Sequence, residues 1–103
     1  MTYDEFESSA RAAGYDEVLT REWAPEHVLA THSHPFAVRA QVARGEFWLT
    51  EGDLVRHLRA GESFELGRDR PHAERYGPEG TTLWVARRHG DGPPNPAAAT
   101  DRR

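Results

Sequence analysis

Between Glu17 and Arg88 the chain is written in short runs of alternating apolar and polar residues, cut by turn residues. The run Val38-Arg39-Ala40-Gln41-Val42 shows the period. Apolar side chains recur at every second residue, which puts them on one face of a β-strand. Eight runs read as strands: Glu17–Trp23, Val28–His34, Val38–Ala43, Glu46–Thr50, Leu54–Arg59, Ser63–Leu66, His72–Tyr76 and Thr81–Arg88. Turn residues separate most of them, at Ala24-Pro25, Pro35, Arg44-Gly45, Glu51-Gly52-Asp53, Ala60-Gly61, Gly67 to Pro71 and Gly77 to Gly80. Eight short strands at this spacing predict an all-β sandwich or barrel, and an eight-stranded barrel has room for one small ligand.

The two ends follow other patterns. Tyr3, Phe6, Ala10 and Ala13 fall on one helical stripe, Thr2 and Glu5 have capping-box spacing, and Gly14 suits a helix stop. A helix over Thr2–Ala13, packed on the outside of the domain, is expected. Gly90 to Arg103 is rich in Gly, Pro and Ala and has too few apolar residues to repay ordering, so a flexible tail is expected. The expected organisation is a helix over 1–14, a single barrel domain over 15–89 and a tail over 90–103.

Composition narrows the function classes. With 37% hydrophobic residues in 103, the chain supports one small core and not two. It has no cysteine, so any metal ligands must be His, carboxylate, amide or water. No run approaches the roughly 18 apolar residues of a membrane span. No basic segment followed by an apolar one opens the chain, so a cytoplasmic location is expected. The net charge is −4 and every basic residue is Arg, with no basic patch longer than a pair, which argues against nucleic acid as a partner.

The chemistry concentrates in the histidines. His32-Ser33-His34 places two imidazoles on one face if both residues lie on a strand, and His72 is a third donor further on. Glu74 and Tyr76 share the parity of His72, so all three face the same way on a regular strand. Glu74 is the candidate general acid/base or fourth ligand; its alternative is a partly exposed carboxylate paired with an Arg. Gln41 has the opposite parity to Val38, Ala40 and Val42 and is expected outside the cavity. His27, His57 and His89 share no motif position and are expected at the surface. No nucleophile elbow or glycine-rich phosphate loop is present.

The order of these residues resembles the cupin family of small double-stranded β-helix proteins. His32, His34 and Gly45 match the cupin first motif, and Gly61 and His72 match the second, with fifteen residues between Gly45 and Gly61. The resemblance covers Trp23 to Arg88 and implies a jelly-roll barrel. It departs in turns: the first motif's opening Gly falls at Glu26, and the second motif's Pro, Gly and Asn fall at Gly67, Asp69 and Tyr76. The departure that bears on chemistry is the family's metal-binding Glu, which falls at Val38, or at Arg39 in the longer spacing. The resemblance therefore implies a three-histidine centre, His32, His34 and His72, holding one divalent ion: Fe(II), Ni, Mn or Zn. Three-His iron resembles the thiol dioxygenases, and three His with open positions is also a catalytic zinc set.

The expected function is metal-assisted chemistry, of a dioxygenase or of an isomerase or lyase, on a small organic molecule in the barrel. Glu74 is the candidate catalytic residue, and Phe36, Val38, Tyr76 and Trp84 are candidate substrate contacts. Two alternatives stand beside it: a non-catalytic sensing or binding module that works with a partner protein, and a structural dimer with a vestigial pocket. A homodimer is expected because so small a domain buries a small share of its surface and sheet edges invite pairing.

Overall fold

The computed structural model describes residues 1–90. The expected tail lies outside the described residues beyond Gly90. One helix, α1 (Tyr3–Ala12), precedes eight strands: β1 (Glu17–Trp23), β2 (Val28–His32), β3 (Ala37–Arg44), β4 (Glu46–Glu51), β5 (Leu54–Arg59), β6 (Ser63–Leu66), β7 (His72–Tyr76) and β8 (Thr81–Arg88). The strands form two antiparallel four-stranded sheets, ordered β1-β8-β3-β6 and β2-β7-β4-β5. This is the all-β architecture with a short N-terminal helix that the pattern predicts, and the jelly roll that the resemblance implies.

The helix is closed as its sequence predicts. Thr2 accepts from the Glu5 amide and the Glu5 carboxylate accepts from the Thr2 amide, which satisfies two free donors of the first turn. Of the expected stripe, Phe6 and Ala10 are buried, whereas Ala13 is the exposed C-cap. Phe6 and Ala10 pack with Tyr15 and Ala86 on the outer face of the first sheet.

The main core lies between the sheets. Val38, Ala40 and Val42 from β3 meet Phe47 and Leu49 from β4, Leu58, Phe64, Leu66, Tyr76, Leu83 and Val85. Gly45 is the single residue between β3 in one sheet and β4 in the other. Its φ is +85°, and a Cβ there would lie 2.2 Å from the Gly80 carbonyl oxygen. Only glycine fits this crossing.

One strand ends earlier than expected. β2 stops at His32, so His34 lies in the connection to β3. Pro35 has no N–H to continue a ladder. The His34 carbonyl instead accepts from the Asp69 amide at 2.7 Å, in the loop between β6 and β7.

Candidate metal centre

His72 opens β7 and is 2% exposed; His32 closes β2 beside it, paired in register. The pairing between β2 and β7 shifts between Leu29, opposite Glu74, and His32, opposite His72. Between these pairs two residues of β2, Ala30 and Thr31, lie opposite one of β7, Ala73. The extra residue is a β-bulge, which reverses the parity of the strand. Leu29 and His32 consequently both face the cavity, although an uninterrupted strand would turn them to opposite faces. The three imidazoles converge: one ring nitrogen from each of His32, His34 and His72 lies within 4.8 Å of the others. Ring centroids are 4.4 Å apart for His32 and His72, 4.9 Å for His32 and His34, and 5.2 Å for His34 and His72.

The backbone sets the tautomers. His32 Nδ1 lies 2.7 Å from the Ala30 carbonyl oxygen, and His72 Nδ1 lies 2.8 Å from that of Arg70. A carbonyl only accepts, so both Nδ1 atoms carry the proton and donate. Nε2 of each ring is then left for a ligand. Such an outer hydrogen bond orients a metal-ligating imidazole and raises its basicity. His34 is held differently, stacked on the Phe36 ring at 4.9 Å with an interplanar angle of 6°.

Glu74 stands beside these nitrogens. Its Oε2 is 3.2 Å from His72 Nε2 and 3.6 Å from His32 Nε2, and its Oε1 accepts from the Tyr76 hydroxyl. The expected alternative, an exposed Glu paired with Arg, does not hold, because the side chain is 11% exposed and its partners are His and Tyr. Burial works against charge on Glu74, but the hydrogen bonds from His72 and Tyr76 and the nearby imidazoles outweigh it and lower its pKa. Burial also opposes charge on His72. There the Glu74 carboxylate and the Arg70 carbonyl outweigh it, and the pKa rises. His34 is pushed down, by burial and then by its two imidazole neighbours. Burial, then the Glu74 charge, pushes the Tyr76 hydroxyl above the ordinary range of a phenol.

The site opens on a cavity of about 530 Å³ between the sheets. Its polar wall is the three histidines, Glu74 and Tyr76. Its floor is apolar, made by Val38, Phe64, Leu66, Leu83 and Val85. That is the usual character of a small-molecule site, apolar with a few placed polar groups.

No family model matches the chain, and no curated protein matches it either. Solved structures do match. An RmlC-like cupin from Shewanella frigidimarina superposes with a TM-score of 0.63 at 20% identity, over 71% of this chain and 65% of that one. A structure from work on the DMSP lyases RdDddP and RnDddQII gives 0.65 at 20% identity, over 76% of this chain and 40% of that one. CENP-C of Drosophila melanogaster, solved bound to CAL1, gives 0.60 at 17% identity, over 68% and 60%. The chain is a cupin by fold. It spans less than two thirds of the length of these three relatives.

Against the cupin pattern, the structure decides between the two positions open to the family's carboxylate ligand. Val38 is 7% exposed and lines the cavity. Arg39 faces the other way, 3.1 Å from the Glu65 carboxylate and over the Tyr15 ring. Of the two positions that the resemblance offers for that carboxylate, Val38 is the one that faces the cavity.

Phe36, Val38 and Tyr76 line the cavity, and Gln41 does not. Trp84 is a correction. Leu83, Val85 and Arg87 of β8 face the cavity, which turns Trp84 to the outer face. There its ring meets Tyr3 at 5.9 Å and Phe6 at 6.0 Å under α1. Both faces of β8 are covered, so both carry apolar residues and composition does not separate them. His57 is not simply a surface residue: it stacks on Trp48 at 4.3 Å and bonds Glu46 at 2.7 Å. His27 stacks on Trp23 at 5.2 Å, and His89, half exposed, contacts Glu17 and Phe36. Sequence reasoning missed two cavity arginines, Arg21 and Arg87. The signal was available, since Arg87 shares the parity of Leu83 and Val85.

Proposed function

We propose that this cupin holds one divalent transition ion on His32, His34 and His72 and acts on a small organic molecule in the adjoining cavity. The observation that carries the reading is the pair of Nδ1–H donors fixed on backbone carbonyls, which turns Nε2 of His32 and His72 toward one point beside His34 and the Glu74 carboxylate. Three neutral imidazoles fit Fe(II), Ni, Mn or Zn. When bound, such an ion supplies Lewis acidity toward a carbonyl or enolate oxygen, or redox activation of dioxygen. The protein's own groups do the rest. Glu74 accepts or returns a proton at Oε2, Tyr76 holds Glu74 through Oε1, and the apolar floor excludes water from the substrate body. One structural neighbour comes from work on lyases, which supports catalysis in this fold.

A binding module is the second reading, supported by the neighbour solved with a protein bound. Metal analysis of wild type beside His32→Ala and His72→Ala tests the metal centre. The expected result is close to one ion per chain, lost in both variants. Equal content in all three, or none in the wild type after reconstitution, would reject it. Oxygen uptake and product analysis with a panel of thiols, diketones and phenols then separates turnover from binding. The chain is also proposed to form a homodimer. Val28, Leu54 and Val55 are each more than half exposed, and light scattering showing a monomer at high micromolar concentration would exclude it.

A further inference from the structure

Two arginines turn into a cavity whose floor is otherwise apolar. Several arginines of this protein close tightly on a carboxylate: Arg39 on Glu65 at 3.1 Å, Arg56 on Glu51 at 3.0 Å, Arg70 on Glu51 at 2.9 Å. Arg21 does not, and Arg87 reaches one only at 3.6 Å. Arg21 has no ion pair among the described residues, and its guanidinium lies 4.6 Å from the Trp23 ring centroid. Arg87 lies 5.0 Å from the Phe36 ring centroid. Its Nε is buried without a partner. Its nearest carboxylate oxygen is Glu17 Oε1, 3.6 Å from Nη1, and that oxygen is already engaged by His89 at 2.5 Å.

The charges around the cavity are unbalanced. Glu74 is the single carboxylate in the lining and is taken up by His72 and Tyr76. Two guanidinium cations face it, before any metal charge is added. The buried Arg87 Nε–H, left without an acceptor, costs desolvation free energy that an anion in the cavity would offset. The arginines are also unequally placed. Arg21 pairs across β1 and β8 with Leu83, four residues before Arg87, or about 13 Å along the strand. Arg87 is on the histidine side, because the Phe36 ring it covers is the ring on which His34 stacks. Its planar fork matches a carboxylate with two parallel hydrogen bonds.

We propose that the cavity takes a small organic monocarboxylate. Arg87 anchors its carboxylate next to the histidine cluster, and Val38, Leu66 and Val85 receive its apolar body. The proposal rests on the reading of this cavity as a small-molecule site and names the ligand class for it.

Calorimetric titration of a matched pair, phenylacetate and phenylacetamide, tests it on wild type, Arg87→Gln and Arg21→Gln. Each titration is run with Zn²⁺ and in chelator, and metal content is measured on the same preparations. The acid is expected to bind wild type at least about tenfold more tightly than the amide, as a charge-assisted pair implies. Arg87→Gln is expected to abolish that preference with metal content unchanged, and Arg21→Gln to keep it. Preference for the acid that persists in chelator supports the anchor even if the metal reading fails. Equal binding of acid and amide, no binding of either, or loss of the preference in Arg21→Gln alone overturns the proposal. If Arg87→Gln does not fold, the wild-type comparison and Arg21→Gln still decide it.

Discussion

The contact between Glu74 and His72 makes metal affinity depend on pH in a way that Glu74→Gln should change. His72 must lose its proton to ligate through Nε2. Its pKa is raised, because the Glu74 carboxylate 3.2 Å away favours the imidazolium against the opposing effect of burial. Protons therefore begin to compete with metal above the ordinary histidine value of about 6.5. Affinity is full above the raised pKa and falls as pH drops through it, by a factor of about ten, or 1.4 kcal/mol, per pH unit for this one group. His34 has a lowered pKa and is neutral across that onset, so it adds no slope there. Glu74→Gln removes the charge, lowers the His72 pKa and moves the onset to lower pH. The assay is Zn²⁺ affinity by competition with a chromophoric chelator from about pH 8 to 5.5, with the chelator's own protonation corrected. If Glu74 is itself a ligand, the variant weakens binding at every pH and the two profiles run parallel. A wild-type affinity flat across the range, or profiles that coincide, would refute the reasoning.

Other perturbations check the rest. In the metal-free protein the His72–Glu74 pair contributes stability above the ordinary Glu pKa, and that contribution is lost as pH rises through the raised His72 value; thermal melts in chelator should show it in wild type and not in Glu74→Gln. Val38→Glu should lower the melting temperature of the metal-free protein, because it buries a carboxylate, and restore it with excess Zn²⁺, by about 4 kcal/mol at a thousandfold excess over Kd. Equal metal affinity in Val38→Glu and wild type would place that side chain away from the site. Gly45→Ala combines a positive φ with a Cβ 2.2 Å from a backbone oxygen, and should cost more than about 2 kcal/mol. Gly52→Ala has a positive φ but open space, and should cost only about 1 kcal/mol; equal costs in chemical denaturation would show that the Gly80 contact is unimportant. Phe47→Ala, at a fully buried position, should cost about 3–5 kcal/mol by the same measurement, and a loss under 1 kcal/mol would contradict the core described here.

Local chemistry determined much of this protein from its sequence alone. Period-two runs and turn residues marked all eight strands to within a residue or two at their ends, because apolar alternation and chain reversal are properties of neighbours along the chain. Thr2 and Glu5 marked the helix start for the same reason, and the shared parity of His72, Glu74 and Tyr76 put them on one wall. What the sequence did not determine depends on pairing between distant segments. The bulge that turns His32 into the cavity exists only in the register between β2 and β7. His34 reaches the cluster from a connection, held by Asp69 far along the chain, and not from a strand. The side of Trp84 was illegible, because α1 covers one face of β8 and the core covers the other. Arg87 shares the parity of Leu83 and Val85, but parity alone does not say which face of the strand meets a cavity. The place of Arg21 and Arg87 in the cavity follows from which face of each sheet meets the other, and only the folded chain makes that choice.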